Sequence, residues 1–144
     1  MNDRQVIELL NRLLAIHTTS FPTYLVCTAT WTHRGDEATS LALSQIVADE
    51  QNTADRIIQM ITDLGGSVAS SSYPMLFTDL HDLALEFLLQ RLVDYRQQDI
   101  ASIESCAADL ADAPLSRALA EEALGAAKGH LESLEELTRQ PSSS

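Results

Sequence analysis

The stretch "GGSVASSSYPMLF", residues 65 to 77, decides the fold. It is polar, has no apolar period, and contains a proline, so it reads as a connection between two helices. Its length carries the topology. Neighbouring helices are usually joined by two to eight residues, and this connection has about 13. Fully extended it would reach about 44 Å at roughly 3.4 Å per residue. A helix of about 28 residues is about 42 Å long. The segment can therefore travel the length of a bundle and set the helix after it parallel to the helix before it.

Upstream lies "LSQIVADEQNTADRIIQMITDLGG", residues 43 to 66, an amphipathic helix closed by two glycines. Its inner line runs Leu43, Ile46 or Val47, Glu50, Ala54, Ile57, Ile61, Leu64. One carboxylate stands where an apolar residue belongs. The first periodic segment runs from about Asp3 to His33, with Leu10, Leu14, His17, Phe21, Tyr24, Thr28 and Trp31 inward. Pro22 predicts a kink there and a lost bond to the Thr18 carbonyl. Gly35 suits a left-handed cap, and Asp36 can cap the second helix.

Downstream, a third helix is expected from Thr78 or Asp79 to about Leu110, and a fourth from Pro114 in its first turn. The connections near 34–36 and 110–114 are short, so each closes an antiparallel hairpin. The expected fold is all-α: a four-helix bundle over residues 1–138, two antiparallel hairpins joined by one long crossover, with a frayed tail at 139–144. That is the ferritin-like arrangement.

Composition agrees and also excludes. Across 144 residues there are only five glycines and four prolines, which suits a helical domain with its own core. Nine basic residues against 21 acidic ones give a net charge of −12, with no basic cluster or tail. Neither nucleic acid nor an anionic membrane is an expected partner. No apolar run is long enough to span a bilayer. Cys27 and Cys106 stand alone, which reads as two buried thiols in a reducing cytoplasm.

The residues also resemble a family. "VIELLNRLLA" in the first helix, "ADEQNTADRI" in the second and "LSRALAEEALGAAKGHLESLEEL" in the fourth resemble bacterioferritins over nearly the whole chain. "ATWTHRG", "ADRIIQMITDLGG" and "LVDYRQQ" resemble the DNA-protecting mini-ferritins. The resemblance implies the ferritin-like fold and a homo-oligomer of at least two chains. Six positions hold two irons in bacterioferritin-like proteins. They fall here on His17, on Glu50 with Thr53, on Asp94, and on Ala127 with His130. A helix-two histidine and a helix-four carboxylate are thus missing. Gln51 stands where a haem-ligating Met would be, which implies no haem. The mini-ferritin ligand positions fall on Thr30, Asp55 and Gln59.

Bundle depth offers a check that does not use the family. Asp94 and His130 lie equally far from the turn near Asp112, and His17 and Glu50 lie at similar distances from the turn near Gly35. All four fall near mid-bundle. The strongest apolar line of the third helix (Leu85, Leu88, Leu92, Tyr95, Ile103, Cys106, Leu110) instead places Asp99 inward. Depth favours Asp94 and facing favours Asp99, so both remain candidates.

Three functions follow as expectations. His17, Glu50, Asp94 or Asp99, and His130 would hold at most one Fe, Zn or Mn ion per chain, without efficient ferroxidase activity. Alternatively the bundle is metal-free, Glu50 is paired with His17 or His130, and the helix faces serve a structural or protein-interaction role. Iron oxidation and storage is the third.

Overall fold

In a computed structural model, residues 1–28, 33, 36–80 and 83–139 are described. Among them the chain is all-helical, with α1 Asp3–Thr18, α2 Phe21–Cys27, α3 Glu37–Asp63, a 3₁₀ turn at Met75–Asp79, α4 Leu85–Asp109 and α5 Pro114–Arg139. No helix is long and apolar enough to cross a membrane among these residues.

The expected first helix is two helices. The hydroxyls of Thr18 and Thr19 donate back to the carbonyls of Leu14 and Ala15 and finish α1. Ser20 then caps α2, accepting from the Thr23 amide at 3.3 Å. Pro22 falls in the first turn of α2, where its missing N–H would have had no helical partner. The kink expected at Pro22 is therefore a break at Ser20, made by hydroxyls that compete with the helix ladder. Thr30, Trp31 and the Gly35 cap lie outside the described residues, while Asp36 does cap α3, accepting from the Thr39 amide at 3.0 Å.

α3 ends as the two glycines predict. Gly65 takes φ +78°, and the amides of Gly65 and Gly66 donate to Thr62 and Ile61, both at 2.9 Å. This is the double closure of a Schellman cap. Gly66 is needed for a second reason: a Cβ there would sit 2.8 Å from the Ile7 side chain.

From Gly66 the connection runs beside α1 in the same direction. Asn11 donates to the Ser67 carbonyl and accepts from the Ala69 amide, the Thr18 hydroxyl lies 3.4 Å from that of Ser71, and the Phe77 ring packs tilted against Phe21. Helix three was expected from Thr78 or Asp79, yet α4 starts at Leu85. Phe77, Leu80 and Leu83 recur every three residues, and their amides donate in series to Pro74, Phe77 and Leu80. A three-residue period matches 3₁₀ turns rather than an α-helix.

Cross-helix pairs give the directions. Asp49 and Arg56 of α3 meet His130 and Glu122 of α5, so these helices are antiparallel. Arg12 of α1 meets Asp109 and Phe21 of α2 meets Tyr95, so α4 runs against α1. Ser20 touches Glu50 while Gly66 lies on Ile7, so α3 also runs against α1. α3 and α4 therefore point the same way.

The apolar side chains form two clusters. One gathers Leu10, Leu13, Ala54, Ile57, Ile61, Ile103 and Leu119. The other gathers Phe21, Leu25, Leu43, Ile46, Phe77, Leu88, Leu92 and Leu134. His17, Glu50, Arg96 and His130 each occupy the stretch of chain that passes from one cluster to the other.

Candidate functional site

Glu50 is buried on the inner face of α3, as its place in the apolar line requires. Its hydrogen bonds go to Arg96 Nη2 at 2.8 Å and to the Ser20 hydroxyl at 3.0 Å, not to His17 or His130 as the sequence suggested. Arg96 is equally buried, so the pair is closed to water. Two ions withdrawn from solvent persist only when each neutralises the other with good geometry. Ser20 thus has two tasks, capping α2 and donating to the core carboxylate.

Around this pair stand the other candidates. Asp99 Oδ2 lies 3.7 Å from Arg96 Nη1, with its side chain 21% exposed. The ring of His17 is buried, and its Nδ1 lies 2.8 Å from the Leu13 carbonyl. Nδ1 must therefore carry the proton and donate, leaving Nε2 as the basic nitrogen. His130 Nε2 pairs with Asp49 at 2.8 Å. Asp94 stays outside the group: its side chain is 38% exposed and engages Gln90 and Arg91 on its own helix. Of the two acids of α4, Asp99 is thus the one turned toward Arg96 and the core.

Three alanines of α5, Ala123, Ala126 and Ala127, leave room opposite α3. Ala127 is where the family resemblance would place a carboxylate. The long side chain of Arg96 borders that space. What remains is a cavity of about 10 Å³ walled by His17, Asp49, Glu50, Thr53, Arg96 and His130 as well as the alanines. That is room for about one water molecule. Glu50 Oε2, Arg96 Nε, Asp99 Oδ2 and His130 Nδ1 are buried without a hydrogen-bond partner in the structure. One water could serve some of these atoms.

The electrostatics are set by burial. It pushes the Glu50 carboxyl above its usual range, opposed by the Arg96 guanidinium and the hydrogen bonds from Arg96 and Ser20. It pushes Asp99 up to about 7, with Arg96 opposing and Glu50 reinforcing. His17 and His130 are both lowered, mainly by burial and further by Arg96, while the Leu13 and Asp49 hydrogen bonds resist. One guanidinium faces two carboxyls. Burial thus holds both carboxyls toward their protonated forms and both imidazoles toward their neutral forms.

A metal ion fits this donor set poorly. Its place among Glu50, His17 and His130 would put a divalent charge against the guanidinium, and Glu50 Oε1 and His130 Nε2 already have partners. Among the described residues, no three His, Cys, Asp or Glu side chains converge in a metal-holding group.

Arg96 is the residue that sequence reasoning missed. The inner line chosen for α4 ran through Tyr95, yet the buried set is Leu88, Leu89, Leu92, Val93, Arg96, Ile103 and Cys106. A signal existed: Glu50 in an apolar line demanded a cation, and Arg96 continues Leu89–Leu92–Val93 at helical spacing. The cysteines also need correction, since Cys106 is buried but Cys27, at the end of α2, is exposed. The chain matches no protein-family model and no curated protein.

Proposed function

We propose that the chain is a ferritin-like four-helix bundle that carries its own internal cation, and that it acts as a metal-free structural or protein-interaction bundle. The observation that carries this reading is the Glu50–Arg96 pair, 2.8 Å apart and closed to solvent. Arg96 supplies the positive charge that a buried carboxylate needs, without an ion. The long connection beside α1 and the shared direction of α3 and α4 support the ferritin-like arrangement, as does the two-hairpin order of the chain.

With no interior chemistry, the work falls to the surface. Large apolar side chains are exposed on it: Met75 is 86% exposed, Leu115 80%, and Leu41, Leu76 and Phe87 60%. These support self-association or a protein partner, while the charge of −12 supports neither nucleic acid nor an anionic membrane.

Elemental analysis tests the reading. Protein purified without chelator, incubated with ferrous, zinc or manganous salt and desalted, should retain far less than one ion per chain. Retention of one ion per chain, lost in Glu50→Gln, would favour the single-ion site instead. The partnerless Glu50 Oε2 and His130 Nδ1 beside the small cavity are what would favour that second reading.

A further inference from the structure

The break between α1 and α2 opens a second cavity, of about 270 Å³, between the end of α1, the connection and α4. Its walls combine three kinds of group. Phe21, Phe77 and Tyr95 supply aromatic rings, with centroids 4.8 to 5.3 Å apart. Asp99 supplies the acid. The last turn of α1, through Ala15 and Ile16, brings the negative end of that helix. No cationic side chain lines the space. Arg96 is not among the lining residues: its Nη2 bonds Glu50 and its Nη1 lies 3.7 Å from Asp99 Oδ2.

The sign and shape of this lining select a ligand class. An anion would meet Asp99 and a helix carboxyl end with no cation to receive it. A neutral apolar molecule would fill the space but leave Asp99 with only the distant share of Arg96, at 3.7 Å. A cation on an apolar stem satisfies both parts, since aromatic faces attract a cation held within about 6 Å of the ring centre. The volume is at the small end for ligand sites, which run from about 300 Å³ upward.

We propose that this cavity binds a small organic amine in its ammonium form, the charge against Asp99 and the apolar body against Phe21, Phe77 and Tyr95. The ammonium adds a second cation to a group in which one guanidinium serves two carboxyls. Asp99 and Glu50 are then each matched, Asp99 by the ligand and Glu50 by Arg96. This inference does not rest on the metal-free reading, because no residue lining this cavity lines the space among His17, Glu50 and His130.

Calorimetric titration of the full chain at neutral pH with three probes of similar shape tests it. Phenethylamine should bind saturably with one site per chain, about tenfold or more tighter than phenethyl alcohol, and hydrocinnamate should not bind. Asp99→Asn should erase the preference for the amine while leaving the alcohol's affinity unchanged. Circular dichroism checks that this variant folds. Should it not fold, Tyr95→Leu replaces it, with weaker amine binding expected. Equal affinity for amine and alcohol, no saturation by the amine at millimolar concentration, or a preference that survives Asp99→Asn would each overturn the proposal.

Discussion

Glu50 of α3 and Arg96 of α4 meet at 2.8 Å, with side chains 1% and 2% exposed, so that each makes the other's charge tolerable in the core. Removing one partner leaves the other as an unmatched buried ion. Arg96→Met should therefore cost about 3–5 kcal/mol in urea unfolding. The double variant Glu50→Leu with Arg96→Met should recover most of that loss, because an apolar pair of similar volume needs no desolvation. Additive losses in the two single variants and the double would contradict a direct pair.

Asp99 gives a pH dependence with a definite sign. Its folded-state carboxyl, at about 7, binds its proton more tightly than in the unfolded chain. The stability it contributes is complete below the unfolded value of about 4 and is lost as pH rises through about 7. At about 1.4 kcal/mol per pH unit, the loss by pH 8 is at most about 4 kcal/mol. Glu50, also raised, acts with the same sign. His17 and His130 are lowered and act oppositely, since their contribution is complete above the unfolded value of about 6.5 and is lost as pH falls below it. Asp99→Asn isolates one group: unfolding curves should show it more stable than the parent at pH 8, the gap closing by pH 4. A gap independent of pH would contradict the assignment.

Ser20 joins the helix break to the core. Ser20→Ala removes the cap of α2 and a hydrogen bond to a buried carboxylate. The expected cost is about 2–4 kcal/mol, more than either loss alone. Ser20→Gly keeps the open cap but not the bond to Glu50, so it should recover only a part. Hydrogen exchange should show the loss most strongly in α2.

The two glycines closing α3 should fail differently. Gly65→Ala strains a left-handed residue and should cost about 1–2 kcal/mol whatever else is changed. Gly66→Ala collides with Ile7, so Ile7→Ala should relieve part of its loss. Chemical unfolding of the single and double variants separates backbone strain from crowding.

How much of this was legible in the sequence depends on the kind of signal. The inner line of α3, the glycine stop, the Asp36 cap and the long connection all rest on local patterns, and each has its counterpart in the structure. The break at Ser20 was hidden because a proline inside an apolar period signals a kink, whereas the Thr18-Thr19-Ser20 hydroxyls that end one helix and start another leave that period unbroken. The 3₁₀ turns were hidden because Phe77, Leu80 and Leu83 also fit the start of an apolar helix face. Arg96 was hidden for a deeper reason. A buried cation is identified only by the acid it meets, and that acid lies on another helix, 46 residues away in sequence.

The central claim, that Arg96 is the cation of the bundle interior, is tested most directly by a crystal structure from crystals soaked in ferrous and zinc salts. Arg96 Nη2 should still be bonded to Glu50 Oε1, with no anomalous scattering peak among His17, Glu50, Asp99 and His130. A peak ligated by Glu50 and either histidine, with Arg96 swung away from the carboxylate, would contradict it.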